Sequence, residues 1–179
     1  MKNAMIFHGI GDEPQSYWIP FIKKGLEEKG YKVWTPHLPK PDDPTLSIQI
    51  PFVLENGTFS EETVMIGHSA GVALIFGVLE QLSSPVKQVI GVSGFVDVIQ
   101  PVLKHIVKDF AWKKIQSNAK EFIFINSDND PWGANDKQGR IMLNHLGGMQ
   151  IIRHGDGHMG SMSYNQPYKA FPLLLQLIA

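Results

Sequence analysis

The sequence predicts an α/β fold, namely a three-layer α/β/α sandwich with a mainly parallel, six-stranded sheet. Two observations predict this class. Short apolar segments rich in β-branched residues alternate with longer segments that carry helical patterns. The short segments are continuously apolar, which is typical of parallel strands that helices cover on both faces. The length of 179 residues predicts one domain, spanning residues 1–179.

The six strands are predicted from short apolar runs bounded by turn-forming residues. In chain order they cover residues 4–8, 31–35, 63–67, 86–92, 121–126 and 149–153. The connections between them are long enough for crossovers, so we expect parallel pairing with right-handed connections. In open α/β sheets the functional site lies beyond the carboxyl ends of the strands. The loops that follow these strands are therefore the places to look for chemistry.

Helical patterns fill the connections between the strands. They cover residues 16–29, 45–56, 70–82, 133–146 and 168–178, with two short helices expected between residues 97 and 119. Ser16 is the predicted N-cap of the first helix, and Gly30 ends it. Pro51 weakens the second helix, and Pro172 kinks or delays the last one. Four prolines between residues 36 and 44 predict a loop there.

Composition excludes several functional classes. Sixteen Lys and Arg residues against seventeen Asp and Glu give a net charge of −1, unlike the basic surface of a nucleic-acid-binding protein. The absence of cysteine excludes a disulfide framework, a thiolate metal site and a cysteine nucleophile. No apolar run is long enough for a signal peptide or a membrane span. We therefore expect a cytoplasmic protein without a metal, a cofactor, or a nucleic-acid or membrane partner.

Residues 67–71 read Gly-His-Ser-Ala-Gly and match the G-x-S-x-G pattern. The pattern lies where the third strand must turn into a helix, which is the setting of a nucleophile elbow. In such an elbow the serine sits on a strained turn that exposes its hydroxyl. The positions two residues on either side must be small because the strand and helix backbones approach each other, and Gly67 and Gly71 meet this need. Ser69 is therefore the predicted nucleophile.

A serine hydroxyl needs a base, and the base needs an orienting acid. In this fold the acid and then the histidine follow the serine along the chain. Asp128 and Asp130 follow the fifth strand; Asp130 is favoured because Pro131 holds it extended and because it lies farther beyond the strand. His154 and His158 follow the sixth strand; His158 is favoured because its glycine-flanked loop can carry the ring over the sheet edge. Asp128 and His154 remain alternatives.

An oxyanion hole should use two backbone N–H groups aimed at the developing charge. Ala70 is one candidate because it follows the nucleophile at a helix N-terminus. Ile10, in the loop after the first strand, is the other, with Gly11 as its alternative. Residues near the proposed catalytic positions, or in the segment after the fourth strand that can form a cleft wall, are predicted to bind substrate, and they are Trp18, His68, Phe95, Trp132 and Met159. The absence of a basic cluster near the elbow disfavours a highly anionic substrate.

The order of the motifs resembles a known family. The chain holds His-Gly-Ile-Gly at residues 8–11, Leu-Pro-Lys-Pro-Asp-Asp-Pro at 38–44, the elbow, Ser-Asp-Asn-Asp-Pro at 127–131 and Gly-His at 157–158. This resembles the small serine hydrolases of the retinoblastoma-binding protein 9 and YdeN-like family. The resemblance implies a compact α/β-hydrolase fold without a lid domain and a triad of Ser69, Asp130 and His158. The sequence departs from the family pattern at Trp132-Gly133 and at Met159, beside the acid and the base.

These observations predict a carboxylesterase-like serine hydrolase that cleaves small acyl esters through an acyl-enzyme intermediate. One alternative is a protein-interaction module on a hydrolase scaffold, because a fold does not determine function. Another alternative treats residues 154–158, His-Gly-Asp-Gly-His, as a metal site, although this would leave the elbow unexplained. The sequence leaves open whether the protein is a monomer or a homodimer and whether it has a protein partner.

Overall fold

The computed structural model describes residues 2–103 and 105–178. Its six strands form one sheet in the order β2-β1-β3-β4-β5-β6, and every neighbouring pair is parallel. The strands are β1 (Asn3–Phe7), β2 (Lys32–Trp34), β3 (Thr63–His68), β4 (Gln88–Val92), β5 (Phe122–Ser127) and β6 (Met149–Arg153). The predicted fold class is confirmed, and each of the six predicted strands is present.

Helices cover both faces of the sheet. They are α1 (Ile19–Glu28), α2 (Leu46–Asn56), α3 (Ala70–Leu79), α4 (Trp112–Ser117), α5 (Asp136–Leu146) and α6 (Pro172–Leu177), with a short 3-10 turn at Pro101–Leu103. One apolar core joins α1 and α6 to the sheet, and the other joins α2, α3, α4 and α5 to the opposite face. Within the described ranges, no helix is both long and apolar enough to cross a membrane.

The start of α1 differs from the prediction. Ser16 does not cap the helix; its hydroxyl accepts the Glu13 N–H at 2.9 Å in the preceding turn. The helix begins three residues later, at Ile19, with Trp18 in the N-cap position. Pro20 explains this start, because a proline in the first helical turn loses no hydrogen bond and has a preset helical φ. The last helix is delayed in the same way, since α6 begins at Pro172.

Helix α2 continues through Pro51 to Asn56. The proline removes one backbone hydrogen bond, but the helix packs tightly on α3. A Cβ added to Gly77 of α3 would lie only 2.4 Å from Ile50 Cδ1, so the two helices meet closely there. Tertiary packing therefore outweighs the local cost of the proline.

The strand order reverses between β1 and β3, because β2 lies on one side of β1 and all later strands lie on the other. Such a reversal opens a crevice at the carboxyl ends of the two strands. The turn from β3 into α3 closes one side of this crevice. A Cβ on Gly67 would lie 2.7 Å from the Gly71 carbonyl carbon, and a Cβ on Gly71 would lie 2.5 Å from the Phe7 carbonyl oxygen. Two glycines thus allow α3 to start directly against the end of β1.

Replacing Gly71 by Ala is expected to lower the free energy of unfolding by about 3 kcal/mol, because the new methyl group would overlap a backbone carbonyl on a buried strand. Gly30→Ala is the control for a glycine without steric crowding. Unlike Gly71, Gly30 has a positive φ, +82°, but no atom lies within 4 Å of an added Cβ, so about 1–2 kcal/mol from backbone strain alone is expected. Urea unfolding of both variants measures the difference, and equal losses would contradict the steric argument.

Candidate active site

Ser69 lies at the turn between β3 and α3 in a strained backbone conformation. Its φ and ψ are 54° and −120°, a region that non-glycine residues seldom adopt. Its N–H donates to the Val92 carbonyl at 2.9 Å, which ties the turn to β4. The conformation turns the side chain out of the helix and into a cavity. This is the geometry that the G-x-S-x-G pattern predicts for a nucleophile elbow.

A cavity of about 450 Å³ opens at the carboxyl ends of the strands. Ser69 and His158 both line it. Its apolar walls come from the loop after β1, from the segment between β4 and β5 and from the loop after β5. The apolar wall residues are Ile10, Phe95, Ile99, Leu103, Ile106 and Trp132. Three carboxylates also line it, Asp12, Asp42 and Asp43, and no lysine or arginine of the described chain does.

The His158 imidazole is paired with Asp130. Their Nδ1 and Oδ2 atoms lie 2.7 Å apart, and both side chains are almost fully buried. The other carboxylate oxygen of Asp130 accepts the Trp132 N–H at 2.8 Å. Each oxygen of this buried carboxylate therefore has a hydrogen-bond partner, which is what an ionised aspartate needs in such a place.

The second nitrogen of His158 is free to exchange a proton. Because Nδ1 is held by Asp130, Nε2 is the nitrogen that remains available. No hydrogen bond joins Nε2 to Ser69 Oγ among the described contacts, and such contacts are often long before substrate binds. Burial lowers the pKa of His158 below its usual value of 6.5, although the hydrogen bond to Asp130 acts in the opposite direction. The ring is therefore neutral near pH 7 and can accept a proton.

The alternative acid and base form a second pair outside the cavity. Asp128 Oδ2 lies 2.6 Å from His154 Nδ1, and Asp128 also accepts the Gly155 N–H at 2.9 Å. The His154 side chain is 95% exposed. The hydrogen bond that the His154 ring donates to the Asp128 carboxylate raises the pKa of His154. The chain thus holds two Asp–His pairs, and burial distinguishes the one at the cavity from the one on the surface.

The alternative of a metal site at residues 154–158 is not supported. His154 bonds to Asp128 on the surface, His158 bonds to Asp130 in the interior, and Asp156 bonds to Arg153 at 2.7 Å. The three side chains diverge to separate partners and do not form one ligand set. Among the described residues, no group of three or more His, Cys, Asp or Glu side chains is placed to hold a metal ion.

The loop that carries His158 is held from several sides. The backbone carbonyl of His158 accepts hydrogen bonds from His68 Nε2 at 3.0 Å and from Ser93 Oγ at 2.9 Å. The backbone N–H of His158 donates to Gln166 Oε1 at 2.8 Å. Sequence reasoning missed Ser93 and Gln166. A polar residue directly after β4, followed by Gly94, was a signal for Ser93, whereas nothing local marked Gln166.

Three residues that were predicted to bind substrate belong to this support instead. Trp18, His68 and Met159 are at most 1% exposed, and none of them lines the cavity. Trp18 Nε1 donates to the carbonyl of Met159 at 3.0 Å, and Met159 directly follows His158 in the chain. None of the three contributes to the cavity wall, so the structure gives no support to the prediction that they contact substrate. Phe95 and Trp132, by contrast, do lie in the cavity wall.

The loop after β1 brings backbone N–H groups towards Ser69. A Cβ on Gly9 would lie 3.1 Å from Ser69 Cβ, so the loop passes close to the serine. The Gly11 N–H donates to the Pro41 carbonyl at 2.8 Å and is occupied. The Ile10 and Ala70 N–H groups have no acceptor among the described residues. Ile10 and Gly11 were the two candidates for the donor in this loop. The unoccupied N–H of Ile10 favours Ile10, which also lines the cavity.

Asp12 is an ionisable residue of the cavity that sequence reasoning did not single out. Its Oδ2 atom lies 3.6 Å from His68 Nδ1, and its side chain is 12% exposed. Burial acts to raise the pKa of Asp12, but the His68 imidazole and the Tyr17 hydroxyl outweigh it and leave the pKa lowered. Burial and the nearby Asp12 charge raise the pKa of Tyr17 to about 12. Asp12 is therefore a negative charge at the cavity, and Tyr17 is a neutral neighbour.

Comparisons with known proteins bear on the family and the fold of the chain. A family model described as serine hydrolase matches residues 4–177. Serine hydrolase RBBP9 of Rattus norvegicus is 27% identical over 128 residues, which cover 70% of this chain and 69% of that protein. The ydeN gene product of B. subtilis has a TM-score of 0.88 at 24% identity and covers 99% of this chain and 96% of its own. Est1E of Butyrivibrio proteoclasticus, solved with ferulic acid bound, shares the fold with a TM-score of 0.74 at 13% identity, over 99% of this chain and 86% of its own.

The two Asp–His pairs are expected to titrate on opposite sides of pH 6.5. Burial keeps the midpoint of His158 below this value, whereas the hydrogen bond to Asp128 raises that of His154 above it. Side-chain NMR titration of the two rings measures both midpoints. Asp128→Asn should lower the His154 midpoint and leave that of His158 unchanged. A common midpoint for both rings would contradict the difference in environment.

Proposed function

This chain belongs to the serine hydrolase family, and from that premise we propose that it is a carboxylic ester hydrolase acting on small acyl esters. In this proposal Ser69 is the nucleophile and His158 is the general base. Asp130 orients the imidazole and stabilises its protonated form. The backbone N–H groups of Ile10 and Ala70 form the oxyanion hole.

One observation carries the proposal. His158, which is buried and paired with Asp130, lines the same cavity as a serine held in strained elbow geometry. A structural ion pair does not need a nearby strained serine, and a strained serine without a base would have little reactivity. Their presence at one cavity, in a chain of this family, supports a Ser-His-Asp mechanism.

The first half of the reaction acylates the serine. His158 Nε2 accepts the proton of the Ser69 hydroxyl as the oxygen attacks the carbonyl carbon of the ester. Negative charge develops on the carbonyl oxygen, where the Ile10 and Ala70 N–H groups and the N-terminal end of α3 stabilise it. His158 then donates its proton to the leaving alcohol, and the ester C–O bond breaks. Asp130 lowers the energy of the imidazolium that exists between these two transfers.

The second half releases the acid. His158 accepts a proton from water, whose oxygen attacks the acyl-enzyme carbonyl, and the same N–H groups stabilise the second oxyanion. Collapse of this intermediate returns the proton to Ser69 and releases the carboxylic acid. The neutral state of His158 near pH 7, which burial favours, is the state that both halves need at their start.

The cavity supports a small, uncharged acyl group. Its volume of about 450 Å³ lies at the lower end of the range for small-molecule pockets, and its walls are mostly apolar. Asp12, Asp42 and Asp43 surround it with negative charge, and no lysine or arginine of the described chain opposes them. An anionic acyl group would therefore meet repulsion in a partly desolvated space.

The triad is tested by labelling with a fluorophosphonate probe and by hydrolysis of 4-nitrophenyl butyrate. Ser69→Ala is expected to abolish labelling and to lower kcat by at least about 10⁴-fold, because the nucleophile is lost. Asp130→Asn should lower kcat by about 10³–10⁴-fold by disturbing the imidazole tautomer.

The surface pair offers matched controls for these variants. Asp128→Asn makes the same change as Asp130→Asn but outside the cavity, and both it and His154→Asn, which removes the surface imidazole, should label and hydrolyse like the wild type. If these variants lose activity while Asp130→Asn retains it, the acid and the base would be Asp128 and His154 instead of Asp130 and His158. A folded wild-type protein that is not labelled would contradict the hydrolase proposal and favour the protein-interaction alternative.

Substrate charge gives a separate test of the cavity. 4-Nitrophenyl hexanoate should be hydrolysed with a kcat/KM at least about tenfold above that of the 4-nitrophenyl monoester of adipic acid, whose chain ends in a carboxylate. The double variant Asp42→Asn/Asp43→Asn should narrow this ratio by raising only the rate with the anionic ester. Added salt should narrow it in the wild type through screening. A ratio that neither change affects would contradict the electrostatic explanation.

A further inference from the structure

His8 is a buried histidine that the mechanism above does not use. It follows β1 directly and is 2% exposed. Its Nδ1 atom lies 2.9 Å from the carbonyl oxygen of Gly9. Its Nε2 atom lies 3.1 Å from the backbone nitrogen of Leu38. Both ring nitrogens are thus engaged by the backbone, one by the loop near Ser69 and one by the proline-rich loop.

These two contacts determine the tautomer of His8. The Leu38 N–H is a donor, so Nε2 must accept and carries no hydrogen. The proton of the neutral ring therefore sits on Nδ1, which donates it to the Gly9 carbonyl. Burial lowers the pKa of His8, as do the nearby His37 and His68, against opposing effects of the Gly9 hydrogen bond and of Asp12. The neutral ring that this hydrogen-bond pattern needs is thus the favoured one.

The Gly9 carbonyl and the Ile10 N–H belong to the same peptide unit. In a trans peptide the two groups point in opposite directions, and the described chain has no cis peptide. A hydrogen bond that holds the carbonyl therefore also sets the direction of the N–H. This control matters because residue 9 is a glycine, in a place where an added Cβ would lie 2.9 Å from Asp12 Oδ2 and 3.1 Å from Ser69 Cβ. Glycine resists rotation of the adjoining peptide less than any other residue.

The proline-rich loop holds the other side of this arrangement. Leu38 binds the His8 ring, and the Pro41 carbonyl accepts the Gly11 N–H at 2.8 Å. The loop itself is tied to α2, because Gln49 Nε2 donates to the Pro39 carbonyl at 3.0 Å. The segment from residue 36 to 44 therefore supports the first loop at two points, one on each side of Ile10.

We propose that His8 is a positioning residue for the oxyanion hole, and that the proline-rich loop holds His8 in place. His8 fixes the peptide between Gly9 and Ile10 so that the Ile10 N–H points to the oxyanion. The residue does not touch the substrate and acts through Ile10. This inference rests on the proposed function for its effect on catalysis, but the fixed peptide itself can be observed without any reaction.

Two substitutions of His8 separate the effects of its two hydrogen bonds, one to Gly9 and one to Leu38. In His8→Asn the amide N–H can occupy the position of Nδ1 and still donate to Gly9, while the contact with Leu38 is lost. In His8→Gln the amide oxygen can reach the position of Nε2 and accept from Leu38, while the donor to Gly9 is lost. We expect His8→Gln to lower kcat by about 10–100-fold with KM unchanged, as for a weakened oxyanion-hole donor. His8→Asn should retain most of the wild-type kcat.

The controls separate positioning from simple loss of stability. His145→Asn and His145→Gln make the same changes at an exposed residue of α5 that stacks on Trp112, and both should leave kcat unchanged. Urea unfolding of all four variants measures stability. Equal losses of kcat in His8→Asn and His8→Gln, in proportion to their losses of stability, would overturn the proposal.

Nitrogen-15 NMR tests the fixed peptide independently of hydrolysis. The wild-type protein should show a His8 ring protonated at Nδ1 and not at Nε2, and the Ile10 amide signal should move in His8→Gln but stay in His8→Asn. A ring protonated at Nε2, or an Ile10 signal that neither variant moves, would overturn the proposal. Absence of fluorophosphonate labelling in a protein with the expected NMR signals would instead overturn the proposed function and leave the positioning of the peptide supported.

Discussion

The close backbone approach at the start of α3 is the constraint on which the rest of the site depends. Gly71 places the helix against the end of β1, within a distance that no side chain would allow. This contact forces Ser69 into its strained turn and brings the loop after β1 beside it. Ser69 and the candidate oxyanion-hole donors are thus positioned by one packing arrangement. Strain at Ser69 persists because the surrounding sheet and helix determine it from both sides.

Burial gives two similar Asp–His pairs different properties. Both pairs have short hydrogen bonds, and their residues come from the same two loops. At the surface, His154 is free to take up a proton and Asp128 stabilises the charge, so its pKa rises. In the interior, the loss of hydration outweighs the attraction of Asp130, so the pKa of His158 falls. A neutral ring that can accept a proton is the state that general-base chemistry needs.

Several polar side chains act on the site through the backbone. His68, Ser93 and Gln166 bind the carbonyl and the N–H of His158, while His8 binds the carbonyl of Gly9. The contacts to His158 hold the backbone of a residue that lines the cavity. The contact to Gly9 holds the peptide whose N–H belongs to Ile10, which also lines the cavity. Such supports keep reactive groups in place without occupying space that substrate needs. The site therefore extends well beyond the residues that line its cavity.

The six strands and the elbow turn at Ser69 could be predicted from the sequence, because apolar runs and the five-residue elbow are local patterns. The sequence also narrowed the acid and the base to two residues each. The sequence could not show which aspartate meets which histidine, or that Trp18 and His68 support a loop 90 or more residues away instead of lining the cavity. These outcomes depend on burial and on contacts between distant segments, for which no local pattern exists. Ser16 illustrates the same limit at short range, since a cap and a turn use the same residue type and packing selects between them.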